Sequence, residues 1–239
     1  MERKQILMFV SLLLAAAAVV VGTVVLRDRS YYLITAIILL FALLPFAALF
    51  RRRGVKAREL VTVATMTAIA VASRAAFYML PAVKPLCGIA IITGVALGEE
   101  IGFVVGALAM FLSNFLFSQG AWTPFQVFGM GLAVLAASLI LRRGKLWENR
   151  IVSAIIGGLC CMLLYGGVAD SCAVLAMAPD FTWKSVTAIL LSGLPFNAIH
   201  GGMTALTIFF LGKGVGEKLE RMCKKYGLFA ENTIQEAIE

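Results

Sequence analysis

Five polar side chains interrupt the apolar segments of this 239-residue chain where chemistry is possible: Arg74, Asn114, Asp170, Asn197 and His200. An ionisable group inside a membrane span is expensive and marks a functional position by default. A guanidinium only donates and a carboxylate only accepts, while amides and imidazole do both. Together they suit hydrogen-bonded capture of a ligand that carries amides or a phosphate. They do not suit proton-transfer catalysis, because a single histidine and no paired carboxylates leave little for acid–base work. No nucleotide-binding loop, dinucleotide fingerprint, HExxH or GxSxG is present. Any uphill movement of a ligand must therefore draw on a partner or an ion gradient.

A second group lies in SNFLFSQGAWTPFQ, residues 113–126. Gln119-Gly120 permits a tight turn, and Pro124 cannot donate a backbone hydrogen bond. Trp122 and Phe125 offer flat apolar area, while Gln119, Thr123 and Gln126 offer polar contacts, a mixture that suits a ligand with both kinds of face. The same residues also suit an interfacial tryptophan and a helix start at Thr123. Simpler roles exist for the buried groups too: Arg74 and Asp170 as a buried ion pair, His200 as a core residue, and Asn114 and Asn197 as interhelical hydrogen-bonding groups.

The elements that must position these residues are apolar helices. The chain is 61% hydrophobic and 14% charged, with mean hydropathy +0.95, against about a quarter charged in soluble domains. A spanning helix takes about 20 apolar residues, so the sequence predicts an all-α integral membrane protein. Eight hydrophobic segments can be drawn, at 6–26, 31–50, 59–80, 86–98, 101–117, 126–141, 151–177 and 185–212. The fourth is too short to cross alone; it tilts, or joins the fifth through Gly98, Glu99 and Glu100 as a partly embedded hairpin. The first is too long for a secretory core and lacks a small-residue cleavage site, so it reads as a retained helix.

The net charge of +8 is distributed by loop rather than gathered as a nucleic-acid surface. With both termini cytoplasmic, the inside connections hold sixteen of the 21 basic residues, and only Arg27, Arg29, Lys84 and Lys184 lie outside. That bias predicts an N-in, C-in topology. Counting along each helix at about 1.5 Å per residue then brings Arg74, Asn114, Asp170, Asn197 and His200 to one level, in the outer half or near mid-depth. A cavity open to the outside is expected there, with 113–126 as its lip.

Four regions follow: a two-helix extension at 1–50, a basic cytoplasmic linker at 51–58, a six-segment substrate-binding core at 59–213, and a cytoplasmic tail at 214–239. The tail has helical spacing and mixed charge, as a helix near the membrane surface would. Cys87, Cys160, Cys161, Cys172 and Cys223 form no CxxC pair and read as small apolar core residues; no metal site is expected. Ala64, Ala68 and Ala72 recur every four residues and lay a smooth stripe along the first core helix.

The alanine stripe, FLSNFLFSQGAWTPFQ, and LPFNAIHGG with the KLERMCKKYG tail resemble the substrate-capture subunits (S components) of energy-coupling factor (ECF) vitamin transporters, most closely the cobalamin-type members. The likeness spans about residues 58–228 and omits the first two helices. It implies a six-helix S-component core plus two extra N-terminal transmembrane helices in the prokaryotic cytoplasmic membrane. It implies partners as well: a membrane scaffold subunit that Ala64, Ala68 and Ala72 dock against, and two cytoplasmic ATPase subunits. The implied cargo is cobalamin or another corrinoid, with no catalytic residue and no covalently bound cofactor. Three other functions stay open: an S component for a different B vitamin or a modified nucleobase, an intramembrane hydrolase pairing His200 with Ser192 or Ser113, and a structural membrane subunit without a ligand.

Overall fold

The computed structural model describes residues 57–143, 146–177 and 182–229, with Leu13 and Ala17 alone before them. The two-helix extension, nearly all of the basic linker and the last ten residues lie outside the described residues. Every regular element among those described is helical: α1 Ala57–Ala76, α2 Leu86–Leu97, α3 Glu99–Phe117, α4 Thr123–Arg142, α5 Arg150–Cys160, α6 Gly166–Met177 and α7 Trp183–Tyr226. A π turn, Cys161–Tyr165, joins α5 to α6 into one rod, and a short 3₁₀ turn, Leu146–Glu148, precedes α5. With that rod counted once, five helices are long and apolar enough to cross a membrane, and α2 is a shorter apolar sixth. The chain is an α-helical membrane protein.

The alternation of buried and exposed positions explains how the helices sit. On α1, Thr62, Val63, Met66, Thr67, Ala70 and Arg74 are buried at helical spacing. The opposite face exposes Leu60, Val61, Ala64, Ala68, Ile69 and Ala72. Large apolar side chains also stand exposed on α3 (Leu112, Phe115, Leu116), α5 (Ile151, Ile155, Leu159) and α7 (Leu190, Leu191, Phe196, Phe210). Such surfaces are stable only where hydrocarbon or a partner covers them.

α2 is different. Eleven of its twelve residues are buried, so it is sheathed by protein and packs against α3, α4 and α7. That burial all round accounts for a run too short to span and without a polar face. Gly98 joins α2 to α3 at φ 126, a backbone region open chiefly to glycine. Beyond the turn the two helices nearly touch: a Cβ added at Gly102 would lie 2.5 Å from the Gly94 Cα.

α1 ends at Ala76, four residues short of the expected span. α7 runs unbroken for 44 residues across the 213/214 boundary, about 66 Å at 1.5 Å per residue against about 30 Å of hydrocarbon. Leu219 and Cys223 continue its buried stripe beyond Gly216, and Trp147 packs over Gly212 and Gly216. The helix closes on Gly227, whose left-handed conformation lets Leu228 N–H reach the Cys223 carbonyl. Phe229 N–H then donates to the Glu59 carboxylate at 2.8 Å, tying this end to the start of α1.

Candidate ligand-binding site

Arg74 sits in the last turn of α1, buried against α3. Its Nη1 donates to Ser113 Oγ at 2.5 Å and to Asn114 Oδ1 at 2.7 Å. Asn114 passes the chain on, donating from Nδ2 to Gln126 Oε1 on α4 at 2.9 Å. One polar thread therefore links three helices. Nε of Arg74 is buried without a partner, and its guanidinium lies 4.4 Å from the centre of the Phe117 ring. Lys84, from the α1–α2 connection, approaches the same ring at 4.7 Å and donates to the carbonyls of Phe77 and Tyr78.

The turn between α3 and α4 is held by its own polar groups. Thr123 Oγ1 accepts from Gly120 N–H at 3.1 Å and donates to Gln119 Oε1 at 2.9 Å, while Gln119 Nε2 donates back to the Phe111 carbonyl at 3.2 Å. Gly120 leaves the room that the Trp122 ring occupies. Trp122 is 44% exposed at the start of α4, and Phe125 is packed in the apolar core at 4% exposed. The two aromatics thus do not share a face. Contact of Phe125 with a ligand would require the core to open, because α4 has already begun at Thr123 and its first turn carries Phe125 inward.

Across the bundle, Asn197 Nδ2 donates to Asp170 Oδ2 at 2.6 Å. The glycine opposite each partner makes this approach possible. A Cβ at Gly166 would fall 2.6 Å from Asn197 Cγ, and one at Gly193 would fall 2.6 Å from both Asp170 carboxylate oxygens. Gly166 and Asp170 are one turn apart on α6, as Gly193 and Asn197 are on α7, so each helix presents one knob and one hole. Pro195 lies between Gly193 and Asn197 and removes the backbone bond to the Leu191 carbonyl. His200 stands one turn beyond Pro195, its ring edge-on to Tyr165 with centroids 5.0 Å apart. Its Nε2 is buried and unpartnered.

These two networks share a level. Gly129 on α4 packs against Val168 and the Tyr165 carbonyl, and Gln126 is three residues earlier on the same helix, about 4.5 Å along its axis. Tyr165 lies close enough to Arg74 and Asp170, and His200 to Arg74 and Lys84, for a charge on one to be felt by the other. Arg74, Asn114 and Gln126 thus form one network, Asp170 and Asn197 a second, and His200 with Tyr165 lies within electrostatic reach of the first.

Arg74 and Asp170 form no ion pair with each other; each has neutral partners instead. His200 hydrogen-bonds neither serine of the hydrolase alternative: Ser113 donates to the Met110 carbonyl and Ser192 to the Ile189 carbonyl. Among the described residues no cluster of His, Cys, Asp and Glu is arranged to hold a metal. A cleft of about 630 Å³ lined by Glu148, Asn149, Arg150, Ile151 and Phe209 opens elsewhere. It lies at the far end of the α5–α6 rod, some twenty residues from Asp170, and belongs to a different surface.

Sequence reasoning passed over Phe117, Lys84, Tyr165, Gly166 and Gly193, and it named Ser113 only as a possible hydrolytic partner of His200, not as the acceptor for Arg74. The nearest signal was the lysine, the lone basic residue of its connection. The others are ordinary membrane residues whose roles depend on what faces them across the bundle.

Three comparisons complete the picture. A family model described as "ECF transporter, substrate-specific component" matches residues 58–212, the stretch that carries both polar networks. No curated protein and no solved structure matches the chain.

Proposed function

The chain belongs to the substrate-specific component family of ECF transporters, and on that premise we propose that it captures a corrinoid, cobalamin being the best candidate, in the polar seam between α1, α3, α4, α6 and α7. Members of this family are membrane-embedded transport subunits that work with a scaffold and ATPase module, so the energy for uptake comes from those partners. In the proposed arrangement both termini are cytoplasmic and the seam is loaded from outside. Arg74, Asn114, Gln126, Asp170, Asn197 and His200 are the polar contacts, Trp122 is the apolar cover at the rim, and Gln119 and Thr123 shape the turn behind it. Ala64, Ala68 and Ala72, exposed together on α1, are the proposed face for the scaffold.

The observation that carries this reading is that two buried nitrogens, Arg74 Nε and His200 Nε2, stand without partners beside the satisfied polar groups of a transport-family fold. Buried polar atoms are nearly always paired, and a ligand with amide groups supplies partners for Arg74 Nε and His200 Nε2. A corrinoid ring edged with amides is such a ligand. The test is mass spectrometry and visible absorption of whatever copurifies with the full chain from cells grown with cobalamin, followed by equilibrium binding. A one-to-one corrinoid complex is the expected result. Failure to bind any corrinoid, together with binding of another micronutrient, would reject the cargo while leaving the capture role.

A further inference from the structure

We infer that the seam receives an anionic group of the cargo, a carboxylate or a phosphate, on the Nε–Nη2 edge of Arg74 with Lys84 beside it. The inference rests on the capture reading and narrows its substrate class. Three observations carry it. First, Arg74 commits only one of its three nitrogens: Nη1 takes both Ser113 and Asn114, while Nε is buried with no partner and Nη2 has none among the described residues. The Nε–Nη2 edge is one of the two that grip a carboxylate or phosphate with paired hydrogen bonds. Ser113 and Asn114 hold the opposite side, so the side chain is oriented with this edge left over.

Second, the positive charge is unbalanced. Neither Arg74 nor Lys84 forms an ion pair with an aspartate or glutamate among the described residues; their partners are a hydroxyl, an amide and two backbone carbonyls. Both residues are only 8% exposed. Burying one uncompensated cation is costly, and burying two that share one ring is costlier still. Lys84 shows the strain: burial, and then the charge of Arg74, hold its ammonium below the ordinary lysine range.

Third, the group that faces both cations is Phe117, whose ring lies 4.4 Å from the guanidinium carbon and 4.7 Å from the lysine nitrogen. A ring face attracts a cation only weakly, well short of what a charged oxygen supplies at the same place. Phe117 is half-buried at the end of α3 and packs beside Tyr78, itself 57% exposed. The ring therefore partly compensates the cations and can yield to an anion. Asp170, bonded to Asn197 across the seam, is left to receive donors at the other end of the same cargo.

The experiment uses the purified full chain in phosphatidylcholine nanodiscs, with Arg74→Gln, Arg74→Lys and Lys84→Gln beside the native protein. One arm follows thermal unfolding in inorganic phosphate against chloride at constant ionic strength. Native protein should gain roughly 2 °C or more, Lys84→Gln less, and Arg74→Gln nothing. Arg74→Lys, which keeps the charge but loses the fork, should fall between. The other arm measures binding of matched pairs that differ at the anionic group: pantothenate and pantothenol, nicotinate and nicotinamide, cyanocobalamin and dicyanocobinamide. The anionic member of the pair that binds should be preferred at least about tenfold, and Arg74→Gln should erase the preference.

A phosphate response without any bound micronutrient would support the anion site and reject the capture reading. Binding of a micronutrient with no anionic preference, unchanged in Arg74→Gln, would overturn the anion site and leave capture standing. Absence of both responses would overturn both. If only nanodiscs doped with phosphatidylglycerol stabilise the native chain, the anion is a lipid headgroup and the cargo assignment is wrong. Lys84→Gln keeps the test readable should Arg74→Gln fail to fold, since Lys84 lies outside the helices.

Discussion

Substituting Gly193 by alanine tests the packing on which the seam depends. The added methyl would lie 2.6 Å from both oxygens of Asp170, a separation that atoms do not hold. The aspartate is short, so it must rotate away and lose its 2.6 Å bond from Asn197. A hydrogen bond to a charged group contributes about 1.5–3 kcal/mol, although interhelical bonds in membranes average only about 0.6 kcal/mol. Against the loss stands the helix preference for alanine over glycine, about 1 kcal/mol. Displacing packed atoms adds about 1–3 kcal/mol, so with the membrane value for the bond Gly193→Ala should destabilise by about 1–3 kcal/mol. In an Asp170→Ala background there is no carboxylate to displace, and the same substitution should be neutral or stabilising. Reversible unfolding in detergent micelles, run as a double-mutant cycle, reads both values. An equal effect of Gly193→Ala in the two backgrounds would refute the knob-and-hole arrangement. Gly166→Ala, whose methyl would meet Asn197, should behave alike with Asn197→Ala as its control.

The exposed alanine face of α1 should tolerate bulk in the isolated subunit and fail in the assembled one. Ala68→Phe is expected to bind cargo within about twofold of the native chain yet lose uptake in cells, and retained uptake would reject the docking face. His200→Phe keeps a ring against Tyr165 and removes an unpartnered buried nitrogen, a relief of up to about 1–3 kcal/mol. The variant should unfold no earlier than the native chain while binding cargo more weakly; lower stability with unchanged binding would show His200 to be structural. Lys84 sets a pH trend. Its folded-state value lies below 10.5 because of burial and then Arg74, so the unfolded chain holds that proton more tightly. Native stability from this group should therefore rise with pH through the lowered value toward 10.5, and Lys84→Gln should flatten the rise in thermal unfolding across that alkaline range.

How far the molecule could be foreseen depends on whether a property belongs to one helix or to a pair. The core segments were legible because about 20 apolar residues in a row have few other uses, and α2 was recognisable as too short to cross. Its burial was not legible, since hydrocarbon and a protein interior favour the same side chains and Leu86–Leu97 fits either. α7 looked shorter than it is because the charges from Lys213 to Arg221 set the tail apart as a separate surface helix, yet Leu219 and Cys223 keep the helical stripe running beneath those charges. Arg74, Asn114, Asp170, Asn197 and His200 stood out through the cost of burying them. Their partners did not: Tyr165 costs little, Ser113 drew notice only as a possible nucleophile, and Gly166 and Gly193 matter only because Asn197 and Asp170 stand opposite.

The polar groups of the seam also divide by whether the protein satisfies them. Asn114, Gln126, Asp170 and Asn197 each bond to a side chain on another helix, so part of their role is to hold the bundle at its register. Among the described residues three buried side-chain atoms lack a partner: Arg74 Nε, His200 Nε2 and Ser138 Oγ. Ser138 faces Gly94 at the α2–α4 contact, away from the seam; the other two belong to residues close enough for the charge of one to be felt by the other. Were the polar groups of the seam only glue between helices, leaving these nitrogens unpaired would serve no purpose, since each carries a desolvation cost of about 1–3 kcal/mol. Unpaired nitrogens beside satisfied neighbours fit the proposed site, in which one set of groups would fix the walls and the other would be left for the cargo.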